Sequence, residues 1–207
     1  MLSALEALAR LKAGNQQFVA NISQPDVALQ QRRGELVSGQ EPFAIILGCS
    51  DSRVPAELVF GQGLGDLFVI RVAGNIIAPS LVGSVEFAAE AFGTRLVVVL
   101  GHTSCGAISA TVDQLQRPTG NRSPNRHAIV DRIRPVVDPL MQACPHASPE
   151  DIKQRAGRAN IVASASQLRH GSHILETLIE NDALMVVGAE YSLETGEVDF
   201  FDGIPEA

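Results

Sequence analysis

Tryptophan is absent from this chain of 207 residues and tyrosine occurs once, so whatever core it builds must be largely aliphatic. Long apolar runs are missing as well. The longest, Leu96-Val97-Val98-Val99-Leu100 and the stretch from Ala183 to Ala189, are of strand length, well short of the ~20 residues that a bilayer-spanning helix needs. A surplus of basic charge is also lacking. The net charge of −7 argues against nucleic acid as a partner, since phosphate binding draws on clustered Lys and Arg. One local basic group, Arg122, Arg126, Arg132 and Arg134, falls in what reads as loop and helix surface. Cysteine is scarce: three residues, an odd number, make a poor disulfide framework and leave metal binding or catalysis as the reason to look at them. The N-terminal segment carries Glu6, Arg10 and Lys12 within its periodic pattern, so it lacks the uninterrupted apolar core of a secretory signal. The expected setting is the cytoplasm, where thiols stay reduced, with no membrane partner.

What is present reads as a soluble globular α/β protein, with 45% hydrophobic and 19% charged residues. Leu2, Leu5, Leu8 and Leu11 recur every three residues and predict a first helix that Gly14 would stop. A second helix is expected from Asp26, as N-cap, to Val37, closed by Gly39. Four apolar runs follow: Phe43–Leu47, Leu67–Val72, Leu96–Leu100 and Leu184–Val187. Continuous apolar strands are those covered on both faces, as in a mostly parallel sheet. Helical patterns alternate with them at 80–92, 106–116 and 128–141, with two more between Pro149 and Asn181. Pro135 and Pro139 predict that the third of these is short or kinked. Residues 117–125 read as a loop, and Val198–Phe201 as an edge strand.

The unusual residues gather at two strand ends. The first strand runs into Gly48-Cys49-Ser50-Asp51-Ser52-Arg53, and the third into Gly101-His102-Thr103-Ser104-Cys105-Gly106. Ligands of open parallel sheets bind in the crevice outside the carboxyl ends of the strands, and both clusters lie at that edge. His102 and Cys105 can face one point where strand turns into helix, and Cys49 adds a third ligand from a separate strand. Two sulfurs and one nitrogen suit Zn²⁺, and three protein ligands leave a fourth position open, as in catalytic sites. The residues alone also allow a plainer reading: buried cysteines acting as small apolar groups, Asp51 as a turn residue capping a helix, Arg53 as a surface cation. If the site does hold a metal, two thiolates already cancel the charge of Zn²⁺. A bidentate contact from Arg53 would then hold the Asp51 carboxylate off the metal and leave it as a proton acceptor.

Cys49-Ser50-Asp51-Ser52-Arg53 followed by His102-Thr103-x-Cys105-Gly106-Ala107 resembles the paired motif of β-class carbonic anhydrases. The stretch from Gly65 to Asn75 (GDLFVIRVAGN), Leu11-Lys12-x-Gly14-Asn15-x-x-Phe18 and Gly83-Ser84-x-Glu86-Phe87 are similar to that family too, so the resemblance spans nearly the whole chain. It implies a single domain over 1–207: a helical arm, 1–40, extending onto a dimer partner, and an α/β core, 41–207. It implies Zn²⁺ on Cys49, His102 and Cys105, with Asp51 as a further metal ligand in closed forms. It also implies that Asp51 and Arg53 orient zinc-bound hydroxide for attack on CO₂ to give bicarbonate. The expected assembly is a homodimer or dimer of dimers, and Leu2, Leu5 and Leu8 would need the partner's surface to cover them.

Within the family, a bicarbonate-regulated type uses a Trp where Ile46 stands here, together with an Arg and a Tyr that match Arg71 and Tyr191. The constitutively open type places a Gln and a Phe over the substrate, matched by Gln40 and Phe68, while Phe87 replaces a Tyr of that pocket. The resemblance therefore leans to the open type, with Gly106 joining Gln40 and Phe68 in contact with substrate. Two other readings keep the site: hydrolysis of CS₂ or carbonyl sulfide, and non-catalytic zinc binding with Asp51 as a permanent cap. Cys144, His146, His127, and the pair His170 and His173 on one predicted helix are assigned no role.

Overall fold

The computed structural model describes residues 2–21, 29–117 and 123–205. Helix α1 spans Ala4–Val19 and is started by a capping box, in which Ser3 and Glu6 each satisfy the other's backbone N–H. It does not stop at Gly14. That glycine lies mid-helix against α3 (Ala56–Val59), where a Cβ would overlap the Phe60 carbonyl oxygen. Glycine here permits close approach rather than ending the helix. The next residue, Asn15, donates to the carbonyls of Val59 and Gly196 and accepts from the N–H of Val198, so α1 is tied to the far end of the chain. Leu8 and Leu11 are buried within the same chain and Leu2 packs against the same cluster, leaving Leu5 as the exposed leucine of the series. The leucine repeat that suggested a partner is thus largely covered at home.

Helix α2 covers Leu29–Glu35 and passes into a 3₁₀ turn, Leu36–Ser38; the expected cap Asp26 lies outside the described residues. The strands are β1 (Ala44–Gly48), β2 (Leu67–Arg71), β3 (Leu96–His102), β4 (Met185–Tyr191) and β5 (Val198–Asp202). They form one sheet in the order β2-β1-β3-β4-β5, parallel except for β5, which pairs antiparallel at the edge. Every residue of β1 and β3 is buried, as their unbroken apolar runs require. Alternate side chains serve opposite faces. Ile46, Val98 and Leu100 pack toward α1 and Phe60, whereas Ile45, Leu47, Val97 and Val99 pack with α4 (Pro79–Phe92) and α7 (Pro149–His170).

Helices α5 (Gly106–Gln116) and α6 (Pro124–Ala143) complete a third cluster with α7, and α8 (His173–Glu180) closes the set. Helix α6 begins inside the expected loop and runs 20 residues through Pro135 and Pro139. Burial of Val130, Ile133 and Val137, each contributing about 1.5–3 kcal/mol, competes with a cost of about 3 kcal/mol for each of the two prolines, and packing decides the outcome. Strands β3 and β4 also run further than their apolar cores suggest, to His102 and Tyr191, which lie opposite one another in the ladder.

Seating of α1 on Phe60 gives a prediction of definite sign. Gly14→Ala improves helix propensity by up to about 1 kcal/mol, yet the clash should reverse this and lower stability by about 1–3 kcal/mol. Denaturant titration of the variant checks it, and a raised midpoint would refute the packing described.

Candidate functional site

Strands β1 and β3 are neighbours, and the chain goes to one side of β1 to make β2 and then to the other to make β3. At such a reversal the connections diverge and leave a crevice at the carboxyl ends. Cys49 is the first residue past β1, His102 is the last of β3, and Cys105 precedes α5. All three are buried, and their sulfur and nitrogen atoms lie within 4.8 Å of one another. The two sulfurs are 4.0 Å apart. Thiolates sharing one tetrahedral zinc at ~2.3 Å would be ~3.8 Å apart, so little movement is needed. His102 directs Nδ1 to the Thr103 carbonyl at 2.9 Å, which leaves Nε2 as the free lone pair. Nε2 is buried with no hydrogen-bond partner among the described residues. An orphaned buried nitrogen costs about 1–3 kcal/mol, and coordination to a cation removes that cost. The donor set therefore fits zinc.

The surrounding backbone is built to hold these three groups. Ser104, between two of them, has φ of 55°, a left-handed turn that swings Cys105 back toward His102. Thr103 donates its N–H to the Tyr191 carbonyl, and its hydroxyl accepts from Leu193 N–H, so β4 anchors the turn. Arg71, at the end of β2, donates to the carbonyls of Cys49 and Asp51 and fixes the first loop. The N–H of Gly74 donates to Cys49 Sγ at 3.3 Å. Hydrogen bonding to Cys105 leads the causes that pull the Cys49 thiol well below its ordinary range; burial opposes it, and the Gly74 N–H adds to it. The same sharing, together with burial, pushes Cys105 up, so one proton of the pair leaves far more readily than the other. Burial would lower His102, but the Cys49 sulfur, the Thr103 carbonyl and the Asp51 carboxylate outweigh it and raise it.

Asp51 and Arg53 form the two-pronged pair that charge balance called for. Arg53 Nε lies 2.9 Å from Asp51 Oδ1, and its terminal nitrogen 2.8 Å from Oδ2. This fork, the nearby backbone N–H and His102 hold Asp51 well below the usual carboxylate range. Asp51 Oδ2 stands 3.8 Å from His102 Nε2, so an ionised acceptor sits beside the ligand cluster. Gln40 lies exposed in the segment before β1, and Phe68 is half-buried on β2 with its ring 6.2 Å from Phe87 and 5.9 Å from Phe92. Gly106 opens α5 and borders a cavity of about 200 Å³ with Ala73, Ala107 and Ala110.

Groups left without a role lie elsewhere. Cys144 accepts from Arg155 at 3.4 Å, and His146 is exposed. His127 meets Gln114 between α5 and α6. His170 and His173 do not share a helix: one ends α7 and the other begins α8. Of the basic group, Arg132 caps the carbonyls of Ile77 and Ala128, Arg134 pairs with Asp131, Arg126 is exposed, and Arg122 lies outside the described residues. Sequence reasoning gave no role of their own to Gly74, which contacts the ligand sulfur, or to Thr103, which braces the turn. Only their place inside the two motif stretches hinted at them.

A parallel sheet with a buried Cys-His-Cys cluster at its topological switch defines an α/β metalloenzyme class. The family model for carbonic anhydrase matches residues 44–198. Carbonic anhydrase 2 of Mycobacterium tuberculosis (strain H37Rv) is 37% identical over 200 residues, covering 94% of this chain and 91% of that protein. Carbonic anhydrase of Mycolicibacterium smegmatis is 45% identical over 132 residues, 61% of either chain. In structure, the β-carbonic anhydrase CcaA matches with a TM-score of 0.75 and 27% identity, over 98% of this chain and 93% of that one. The chain belongs to the carbonic anhydrase family, in its β class.

The Asp51–Arg53 pair predicts a pH effect. Because Asp51 is depressed in the folded chain, the pair adds stability that is complete above the unfolded aspartate value and is lost as pH falls through the folded one. Zinc-free wild type should therefore lose more stability between about pH 5 and pH 3 than zinc-free Arg53→Met. Denaturation midpoints across that range measure it, and parallel curves would contradict it.

Proposed function

We propose that this chain catalyses the reversible hydration of CO₂ to bicarbonate and a proton, with zinc held by Cys49, His102 and Cys105. The observation that supports it most is the buried His102 Nε2, without a hydrogen-bond partner among the described residues, lying with two thiols in a group whose ligand atoms are within 4.8 Å of one another. Zinc in such a site supplies a Lewis acid that makes hydroxide available near neutral pH. Asp51, kept ionised by Arg53, accepts a proton beside the cluster and so orients the attacking oxygen; Arg53, by gripping both carboxylate oxygens, restrains Asp51 from becoming a fourth ligand. Gly106 offers a backbone N–H at the start of α5, suited to a bicarbonate oxygen. Phe68 and Gln40 complete the proposed substrate lining, one apolar as CO₂ requires, the other a polar donor.

The working unit in this reading is a homodimer or dimer of dimers built from one domain, with 1–40 as its arm. Val37 (85% exposed), Leu58 (65%) and Phe87 (55%) support it, being large apolar side chains that a second copy would cover. The β-carbonic anhydrases described from Sordaria macrospora as tetrameric share the fold, with a TM-score of 0.75 at 20% identity. Among the described residues no helix is long and apolar enough to cross a membrane. A cytoplasmic setting is proposed because the site needs Cys49 and Cys105 reduced.

Stopped-flow assays and metal analysis test the proposal together. Wild type should carry about one zinc per chain and hydrate CO₂, whereas Cys49→Ala should lose both. Asp51→Asn should keep zinc and lose rate by ~100-fold or more. Equal hydration rates for wild type and Cys49→Ala would sink the assignment.

A further inference from the structure

Two polar side chains are buried on one face of α7, far along the chain from either motif: Asn160, 2% exposed, and Ser164, 4% exposed, one helical turn apart. Such groups are rarely buried unless their hydrogen bonds are used. Asn160 donates to the Gly74 carbonyl at 2.8 Å, and Ser164 donates to the Asn75 carbonyl at 3.0 Å. We propose that Asn160 and Ser164 are positioning residues of the metal centre, gripping the Gly74–Asn75 turn so that the Gly74 N–H points at the Cys49 sulfur. The inference rests on the reading of Cys49 as a zinc ligand and adds residues that touch neither metal nor substrate.

Three features support this role. The turn is one that a chain seldom adopts unaided: Gly74 has φ of 73° and Asn75 has φ of 41°, both left-handed. Two consecutive carbonyls held from outside keep it in that form, and the N–H of Gly74 is thereby fixed 3.3 Å from Cys49 Sγ. A helical serine can also satisfy its hydroxyl locally, on the carbonyl four residues back, as Thr111 does on Ala107. Ser164 forgoes that bond and reaches out to the turn.

The approach of α7 is itself arranged. Ile161, beside Asn160, rests on Gly101 and Gly188, where a Cβ would come within 2.5 Å and 2.9 Å of its side-chain atoms. Gly101 immediately precedes His102, so the same glycine that admits α7 leads into the second ligand. A backbone N–H directed at a coordinated thiolate draws electron density from sulfur and orients it, and such outer-shell contacts tune metal affinity by ~10–100-fold.

Cobalt(II)-substituted protein tests the proposal, because the thiolate-to-cobalt absorption band reports sulfur electron density without reference to turnover. Ser164→Ala and Asn160→Ala should shift the band to longer wavelength and raise the zinc dissociation constant by ~10-fold. Ser164→Thr, which retains the hydroxyl, should restore both. Thr94→Val removes another buried hydroxyl, bonded to the Pro42 carbonyl, and should lower stability while leaving the band in place. If Asn160→Ala does not fold, the Ser164 pair decides. An unmoved band and unchanged affinity in Ser164→Ala, or an equal shift in Thr94→Val, would overturn the inference while wild type still binds metal. Wild type that bound no cobalt would instead overturn the metal-site reading, and this inference with it.

Discussion

The arrangement on which the rest depends is the crowding of two thiols and an imidazole nitrogen into one buried pocket. Hydrophobic collapse would not choose it. His102 Nε2 has no hydrogen-bond partner among the described residues, and the Cys49 and Cys105 sulfurs are crowded to 4.0 Å apart. Each of these is a cost in an aliphatic interior, and each becomes a gain when a divalent cation replaces the protons. The neighbouring loops answer that cost. Arg71 holds two carbonyls of the first loop, Thr103 ties the second to Tyr191 at the end of β4, and Gly74 turns its N–H to the sulfur.

Around that pocket the charges are graded from inside outward. The two sulfurs are buried in the third hydrophobic cluster with Ile108, Val112 and Ile133, and the imidazole is buried beside them. Asp51 stands at the rim with its side chain 18% exposed, and Arg53 beyond it is 54% exposed. A carboxylate at that boundary keeps its charge because the guanidinium grips both oxygens. Solvent still reaches the pair. The sheet supplies the geometry: neighbouring parallel strands end side by side, and the reversal of strand order between β1 and β3 opens the space into which both loops turn.

Much of this was legible in the chain as written. Unbroken apolar runs marked β1 and β3 because strands covered on both faces have no polar side to show. The motif residues fell at their ends because that is where an α/β sheet exposes backbone to ligands. The readings of Gly14 and of the α6 prolines failed for a common reason. Gly14 looked like a stop, and Pro135 and Pro139 looked like the mark of a short or kinked helix, since local propensity knows nothing of the Phe60 carbonyl or of the cluster that takes in Ile133 and Val137. A periodic apolar face likewise does not say whose surface covers it: Leu8 and Leu11 of α1 are covered within the chain, while Leu5 is exposed.

Residue type and order indicated the α/β class and singled out Cys49, His102 and Cys105 as a candidate zinc donor set, with Asp51 and Arg53, two residues apart, beside it. These depend on chemistry and short spacing, which a linear chain displays. Tertiary structure decided what depends on distance along the chain: Asn15 bound to Val198, Asn160 to Gly74, and Ser164 to Asn75, across 183, 86 and 89 positions. Nothing in a sequence marks such partners, because a buried amide or hydroxyl is an ordinary surface residue until the fold brings a carbonyl to it. The sequence could offer the ligands; only packing could aim them.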